Sequence, residues 1–425
     1  TATWGAATLR LTCLCDTRCW ASWCISTLCF RINDAVSLTV LIIGASGVFG
    51  SRLAMRCARE PGVRLILAGR RADALRALGA QIDPDAIIRT LDRDHLAASD
   101  FAGADLVVDA AGPFQASQDA VIRAAIGAGI PYLDLADGRA FVAAIGQYDS
   151  AARARGIAIL TGASSVPALS HAVIDDLVKG WSRIDDLRVG IFPGNRAPRG
   201  LSVMQAILSY VGKPVSVWRE GRWQDVPGWG MTHRWRLSDG TRRWASVCDT
   251  PDQDLLVARY NPTRSAEFFA GLELPLLHLG LALLAWPVRL GIVRSLRPFA
   301  RSLLWAAQRF LRWGSDVGYM EVHARGLDAK GNKAAARWTL RASGNCGPTV
   351  PTLAALALIR RYRDGNPPLP GARACAGELA LAEFAGDFEE LGIKTRIIPS
   401  GAQDRGGTNP SGVQEQIFMD EAAAT

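Results

Sequence analysis

The sequence predicts an α/β fold, a doubly wound parallel sheet, followed by a second α+β domain. Three observations carry that prediction. Short Val/Ile/Leu-rich runs alternate with helically spaced segments from Leu38 onward. A glycine string occupies the first strand-to-helix turn. After Thr161 the alternation gives way to longer, mixed elements.

In chain order, the strand-like runs of the first domain are 38–43, 63–68, 86–91, 104–110, 132–135 and 157–160. They are near-continuously apolar, as strands covered by helices on both faces must be. Helical spacing fills 48–59, 72–78, 118–128 and 141–155. In the second domain 166–178 and 201–210 read as helices, whereas 186–192, 214–223, 233–237 and 255–259 read as extended. Gly331 and Asn332 offer turn chemistry between 319–327 and 334–342, which predicts a hairpin. A helix over 352–362 opens a closing segment. The predicted organisation is a leader 1–36 outside the evolved domain, a nucleotide-type domain 37–161, an α+β substrate domain 162–345, a closing segment 346–397 returning to the first domain, and a mobile tail 398–425.

Composition bounds the function. With 49% apolar and 21% charged residues in 425, the chain is neither disordered nor fibrous. The net charge of 48 − 40 = +8 is too dilute to indicate nucleic acid unless it is gathered in one place. Of nine cysteines, five lie in the first thirty residues and four are scattered singly, so reduced thiols in a cytoplasmic protein are expected, and no metal site. The leader lacks the layout of a secretion signal. The longest uncharged apolar run, 274–288, is shorter than the ~20 residues that span a bilayer.

The chemistry is concentrated at Gly44-Ala45-Ser46-Gly47-Val48-Phe49-Gly50, between an apolar strand and a helix. Glycines there permit a tight turn, close approach to a pyrophosphate, and close packing of helix on strand. The phosphates then meet unpaired N–H groups at the positive helix end, with Ser46 as an added donor and Val48 and Phe49 supplying amides. This is the Rossmann dinucleotide-binding pattern. At the end of the second strand an NAD site places a carboxylate for the ribose hydroxyl. Here Gly69 leads into Arg70-Arg71, whose planar donors suit a 2′-phosphate, so the expected cofactor is NADP. The fourth strand ends in Ala110-Ala111-Gly112-Pro113. Ala111, Gly112 and Pro113 are expected beside the pyrophosphate or nicotinamide, with a simple tight turn as the alternative.

These strings, with Tyr132-Leu133-Asp134-Leu135-Ala136-Asp137-Gly138, the run 160–175 and the closing Gly347-Pro348 and Pro351-Thr352-Leu353, resemble the saccharopine dehydrogenase-like oxidoreductases. The resemblance covers roughly residues 38–395. It implies an NADP-binding Rossmann domain, a second domain covering the nicotinamide, and a C-terminal helix returning to the first. Saccharopine-forming members carry an Asp-Pro-Gly turn where this chain has Ser164-Ser165-Val166-Pro167, so the resemblance does not extend to saccharopine as the substrate.

The acid-base candidates are Asp137, together with Asp134 just before it, at the carboxyl edge of the fifth strand, and His171 in the helix after the Ser164 turn. For each, a structural role as cap, turn acid or core histidine stays open. No tyrosine has lysine four residues on, which disfavours a short-chain dehydrogenase. The expected activity is hydride transfer to a C=N or activated C=C bond of a small apolar or lipid-linked substrate. The alternative is a non-catalytic, membrane-peripheral NADP-binding scaffold.

One further segment stands out. Residues 289–312 carry six arginines and no acid, interleaved with apolar residues at helical spacing, and Pro298 suits the first turn of a new helix over about 298–313. Two readings stand. Either the apolar face packs on the second domain with the arginines solvated, or the segment lies on an anionic membrane surface with Trp286, Trp305 and Trp313 at headgroup depth. The expected location is cytoplasmic, at the inner membrane face in the second reading.

Overall fold

The computed structural model describes residues 37–83 and 85–399; the expectations for the cysteine-rich leader and most of the tail lie outside them. The first lobe runs β1 (Leu38–Ile43), α1 (Val48–Cys57), β2 (Val63–Gly69), α2 (Ala72–Ile82), β3 (Ile87–Thr90), β4 (Leu106–Asp109), α3 (Ala120–Ala128), β5 (Tyr132–Asp134), α4 (Arg139–Ala143), α5 (Asp149–Ala154) and β6 (Ala158–Thr161). The expected helix over 141–155 is broken into short turns around Gly146, where glycine weakens helical continuity.

The second lobe continues with α6 (Ser170–Leu177), β7 (Arg183–Phe192), α7 (Leu201–Tyr210), β8 (Pro214–Arg219), β9 (Arg222–Pro227), β10 (His233–Arg236), β11 (Arg242–Val247), α8 (Asp252–Tyr260), β12 (Ser265–Ala270), α9 (Pro275–Arg289), α10 (Ala300–Gln308), β13 (Gly318–Leu327) and β14 (Lys333–Ala342). The closing segment supplies α11 (Leu353–Arg363), β15 (Gly371–Ala374), α12 (Ala385–Glu390) and β16 (Lys394–Pro399).

Two sheets result. The first is seven-stranded and parallel, in the order β15-β6-β5-β4-β1-β2-β3. Its order reverses at β1, which places a crevice above the carboxyl ends of β1 and β4, where open sheets of this kind bind ligands. The second is a nine-stranded mixed sheet, β10-β11-β12-β7-β13-β14-β16, extended by the β8–β9 hairpin on β12. The first sheet's inner strands are fully buried: Val40, Leu41, Ile42, Leu106 and Val107 have no exposure.

Two expectations are corrected. Residues 255–259 are helical, inside α8. Asp252 and Asp254 in its first turn and Arg259 in its last complement the helix dipole and outweigh the strand-like Leu255-Leu256-Val257. The run 214–223 is a hairpin, turning where Glu220 and Gly221 both take positive φ. At the end of the described residues, Ile398 and Pro399, expected in the tail, belong to β16, paired with β14.

The closing segment returns to the first lobe. Strand β15 adds to the free edge of β6. Beside it, buried Arg56 of α1 reaches Asp387 of α12 at 2.5 Å, and Arg360 of α11 bridges Glu60 and Asp387 at 2.6 and 2.7 Å. No helix of the described residues is long and apolar enough to cross a membrane.

Candidate functional site

The site grows from the β1–α1 turn. Gly44 has φ +76°, a left-handed conformation that side chains resist, and a methyl group there would stand 2.8 Å from the Ala111 Cβ. Gly50 packs the helix onto the turn: a methyl would fall 2.2 Å from the Gly44 carbonyl oxygen. Gly47 is the exposed helix N-cap, with extended φ and ψ and no side-chain cap. The α1 amides before Ser51, whose N–H is the first to bond back to Gly47, are therefore left for a ligand. Val48 and Phe49 are half-buried beside it, and Ser46 is half-exposed on the turn.

A second uncapped helix N-terminus converges on this point. Gly200 caps α7 without a side-chain bond, a methyl on Gly200 would lie 3.4 Å from the Val48 Cγ2, and one on Gly112 would lie 3.8 Å from the Ser202 Cβ. Two positive helix ends thus flank the turn. Gly69, at the end of β2, comes within 4.0 Å of the Gly44 nitrogen by the same measure, so Arg70 and Arg71 stand beside the turn. Both are exposed and neither forms a hydrogen bond or ion pair with another described residue; Arg70 lowers the Asp92 carboxyl behind the His95 and backbone hydrogen bonds made there. A cradle that a side chain would fill, unspent amides and unpaired guanidinium groups form a donor set that fits a dinucleotide phosphate.

Ala111, Gly112 and Pro113 lie half-buried on the crevice side. The loop after β5 packs on the residues that follow them, because a methyl on Gly138 would meet the Phe114 carbonyl carbon at 2.9 Å. That contact delivers Asp137, whose Oδ1 accepts from Gln115 Nε2 at 3.1 Å. Asp137 is reachable by solvent yet surrounded by protein, and the resulting desolvation pushes its carboxyl above the usual range, with the Gln115 hydrogen bond pulling back. Its neighbour Asp134 is fully buried. There Oδ1 accepts from Ala136 N, Thr161 Oγ1 and Gly162 N at 2.9, 2.9 and 2.7 Å, fastening β5 to the β6 turn, and burial pushes the carboxyl up to about 6.

His171 is not part of the crevice. Its ring has no exposure, stacks on Tyr260 at 5.3 Å, and stands 3.7 Å from the equally buried Asp252. Burial lowers the imidazole to about 3, so it is neutral and presents no surface to a substrate. The catalytic expectation for His171 is corrected to a core role; a histidine in the first turn of a helix that buries Ser170, Ala172, Val173 and Ile174 is held inside by its neighbours.

Sequence reasoning did not anticipate Gln115, Arg139, Tyr210, Asp249 and Asp254. Arg139 opens α4 and makes a two-pronged bond to Asp254 at 2.5 and 2.7 Å, and reaches Ser216 O at 2.8 Å and Asp249 at 3.3 Å, tying the Rossmann edge to the second lobe beside Asp137. A signal existed: a cation in a helix's first turn opposes the dipole and has to be spent elsewhere. Tyr210, at the end of α7, is buried. Desolvation pushes its phenol up, reinforced by Cys248, Asp137 and Asp249.

Against known proteins, residues 40–160 match the family model of the saccharopine dehydrogenase NADP binding domain. No curated protein sequence matches the chain. Among solved structures the fold resembles apo saccharopine dehydrogenase (L-Glu forming) from Saccharomyces cerevisiae, with TM-score 0.64 and 13% identity over 86% of this chain and all of that one. It also resembles homospermidine synthase from Legionella pneumophila in complex with NAD, with TM-score 0.55 and 10% identity over 89% of this chain and 96% of that one. The glycine turn at the switch point of the seven-stranded parallel sheet therefore lies in a region similar to the saccharopine dehydrogenase NADP binding domain, and the whole fold, with its mixed-sheet lobe, resembles that of saccharopine dehydrogenase.

Proposed function

We propose that this protein is an NADP-dependent oxidoreductase that reduces a C=N or activated C=C bond of a small apolar or lipid-linked substrate. The observation that carries the cofactor choice is the pair Arg70 and Arg71, without an ion pair among the described residues, beside the Gly44 turn and with no carboxylate at the end of β2. Gly44, Ser46, Gly47, Val48, Phe49 and Gly50 would cradle the pyrophosphate, with Ala111, Gly112 and Pro113 beneath it. When bound, NADPH supplies the hydride. Asp137, whose carboxyl burial makes easier to protonate, would deliver a proton to the substrate nitrogen or carbon, Gln115 fixing its orientation. Arg139 and its two acids would keep the lobes in register around the crevice.

An apolar substrate is favoured by α7, whose half-buried Leu201, Val203, Met204 and Ile207 begin beside Gly112. In this reading the enzyme works on the cytoplasmic side, at the membrane that holds a lipid-linked substrate. The test is NADPH consumption by purified protein against a panel of imines and enoyl thioesters, alongside binding of NADPH and NADH. Turnover with NADPH supports the proposal. Tight binding without turnover would favour a scaffold, and failure to bind either dinucleotide would overturn both.

A further inference from the structure

Ten of the fourteen large apolar side chains that the described residues leave exposed fall within 274–313, a concentration that marks an interaction surface. On α9 they are Leu276, Leu279, Leu283, Leu284 and Trp286, with Leu290 at its C-cap; Leu276, Leu279, Leu283, Trp286 and Leu290 fall at spacings of three and four that set them in one outward stripe. The opposite face of α9 buries His278, Ala285 and Val288. Helix α10 packs inward through Ala300 and Ala307 and leaves Trp305 60% exposed. The apolar face is therefore only partly spent on the second lobe.

Charge decides what would cover the rest. Arg289, Arg294, Arg297, Arg301, Arg309 and Arg312 share this stretch with no Asp or Glu, and none forms an ion pair with another described residue. Arg289 lies over the Trp286 ring at 4.8 Å and Arg309 over Trp305 at 4.5 Å, so cations and aromatic rings share the same outer surface. Between α7 and α10 opens a cavity of about 580 Å³, lined by Gln205, Lys213, Ser295, Arg297 and Arg301, that gathers three cations around a recess. A second copy of the chain would set arginines against arginines across a two-fold contact with no acid to pair them.

We propose that this face docks on a lipid bilayer bearing anionic headgroups. The leucines of α9 enter the acyl boundary, Trp286 and Trp305 sit at headgroup depth, the arginines meet lipid phosphates, and the recess takes one headgroup. Helix α7 joins this surface to the crevice. Its start faces Gly112, and its end lies under α9, where Ser295 Oγ donates to Leu208 O at 3.4 Å and a methyl on Gly212 would meet the Ala285 oxygen at 2.5 Å. Delivery of a lipid-linked substrate along α7 rests on the proposed reductase reading; the docking does not.

The test uses the full chain with vesicles of phosphatidylglycerol mixed equally with phosphatidylcholine, and with phosphatidylcholine alone. Co-sedimentation with the anionic vesicles at low salt is expected, falling as salt rises. Each arginine contributes on the order of fivefold, so Arg301→Glu with Arg309→Glu should weaken binding by at least tenfold. Leu283→Asp with Ile292→Asp, at positions 70% and 73% exposed, should abolish it. NADPH affinity, measured on the same samples, should stay unchanged in every variant, which separates loss of docking from loss of the cofactor reading. No sedimentation at low salt, equal sedimentation with neutral vesicles, or a wild-type dimer that Leu283→Asp turns into a monomer would each overturn the proposal.

Discussion

Reversing the charge of Arg70 isolates the cofactor assignment. Arg70 is exposed, forms no ion pair with another described residue and sits beside the Gly44 turn, so Arg70→Asp breaks no buried contact and should leave the fold intact. A guanidinium about 4 Å from a phosphate charge is worth about 1 kcal/mol in bulk water and about 4 kcal/mol at the effective dielectric of a protein surface. Solvent exposure places this site toward the lower figure. Substitution by Asp removes the attraction and adds a repulsion of similar size, so NADPH should lose about 3 kcal/mol, on the order of 150-fold in Kd. NADH carries a hydroxyl where NADPH carries that phosphate, and a carboxylate at this position suits a ribose hydroxyl. Its affinity should hold or rise. Nucleotide fluorescence titrations of both proteins with both cofactors measure this directly, and the NADPH loss should shrink in high salt. Equal weakening of NADPH and NADH would refute the assignment of Arg70 to the 2′-phosphate.

Three further outcomes follow from the geometry. Gly50→Ala forces a methyl into the Gly44 carbonyl, where the contact is backbone on backbone, and should cost roughly 3 kcal/mol of stability in denaturant unfolding; an unchanged midpoint would show that α1 does not pack so closely on the turn. Asp137→Asn should lower kcat about 100-fold at neutral pH while NADPH binding is retained. The wild-type rate, which needs the protonated carboxyl, should fall as pH rises through the raised pKa, and a variant that keeps this alkaline fall would clear Asp137 as the proton donor. Asp252→Asn removes a fully buried carboxyl that faces the neutral His171 and that burial pushes up to about 7. Because its folded pKa lies above the unfolded one, the wild-type contribution is lost as pH rises from about 4 to about 7. The variant should therefore gain a few kcal/mol over wild type at pH 8 and little at pH 4, and a gain independent of pH would contradict this account.

What the sequence made legible was whatever local chemistry dictates. Strand β1 and helix α7 lie at the bounds read from periodicity, and the β13–β14 hairpin turns around Gly331 as its residues require. The glycine turn was readable because glycine is the residue that its φ and its packing admit. Strand β15 was not, since Gly371–Ala374 is four residues long and acquires its identity only from the edge of β6. The same reason hid Gln115 and the Arg139 tie, whose partners arrive from 22 and 115 residues away. His171 looked accessible because no local signal distinguishes a histidine facing a crevice from one facing the core.

The seventh strand has a consequence for biosynthesis. Gly371 pairs with Ala158, 371 − 158 = 213 residues earlier, so a growing polypeptide carries an unfinished first sheet while the whole second lobe is being translated. An open parallel edge held that long invites misassociation and slows folding, since long-range pairing comes late. A fragment released before Gly371 emerges would leave the β6 edge bare and lack the ion pairs that clasp α1 to α12. Acquisition of the finished sheet then reports that the whole second lobe has been synthesised, a built-in proofreading of its presence.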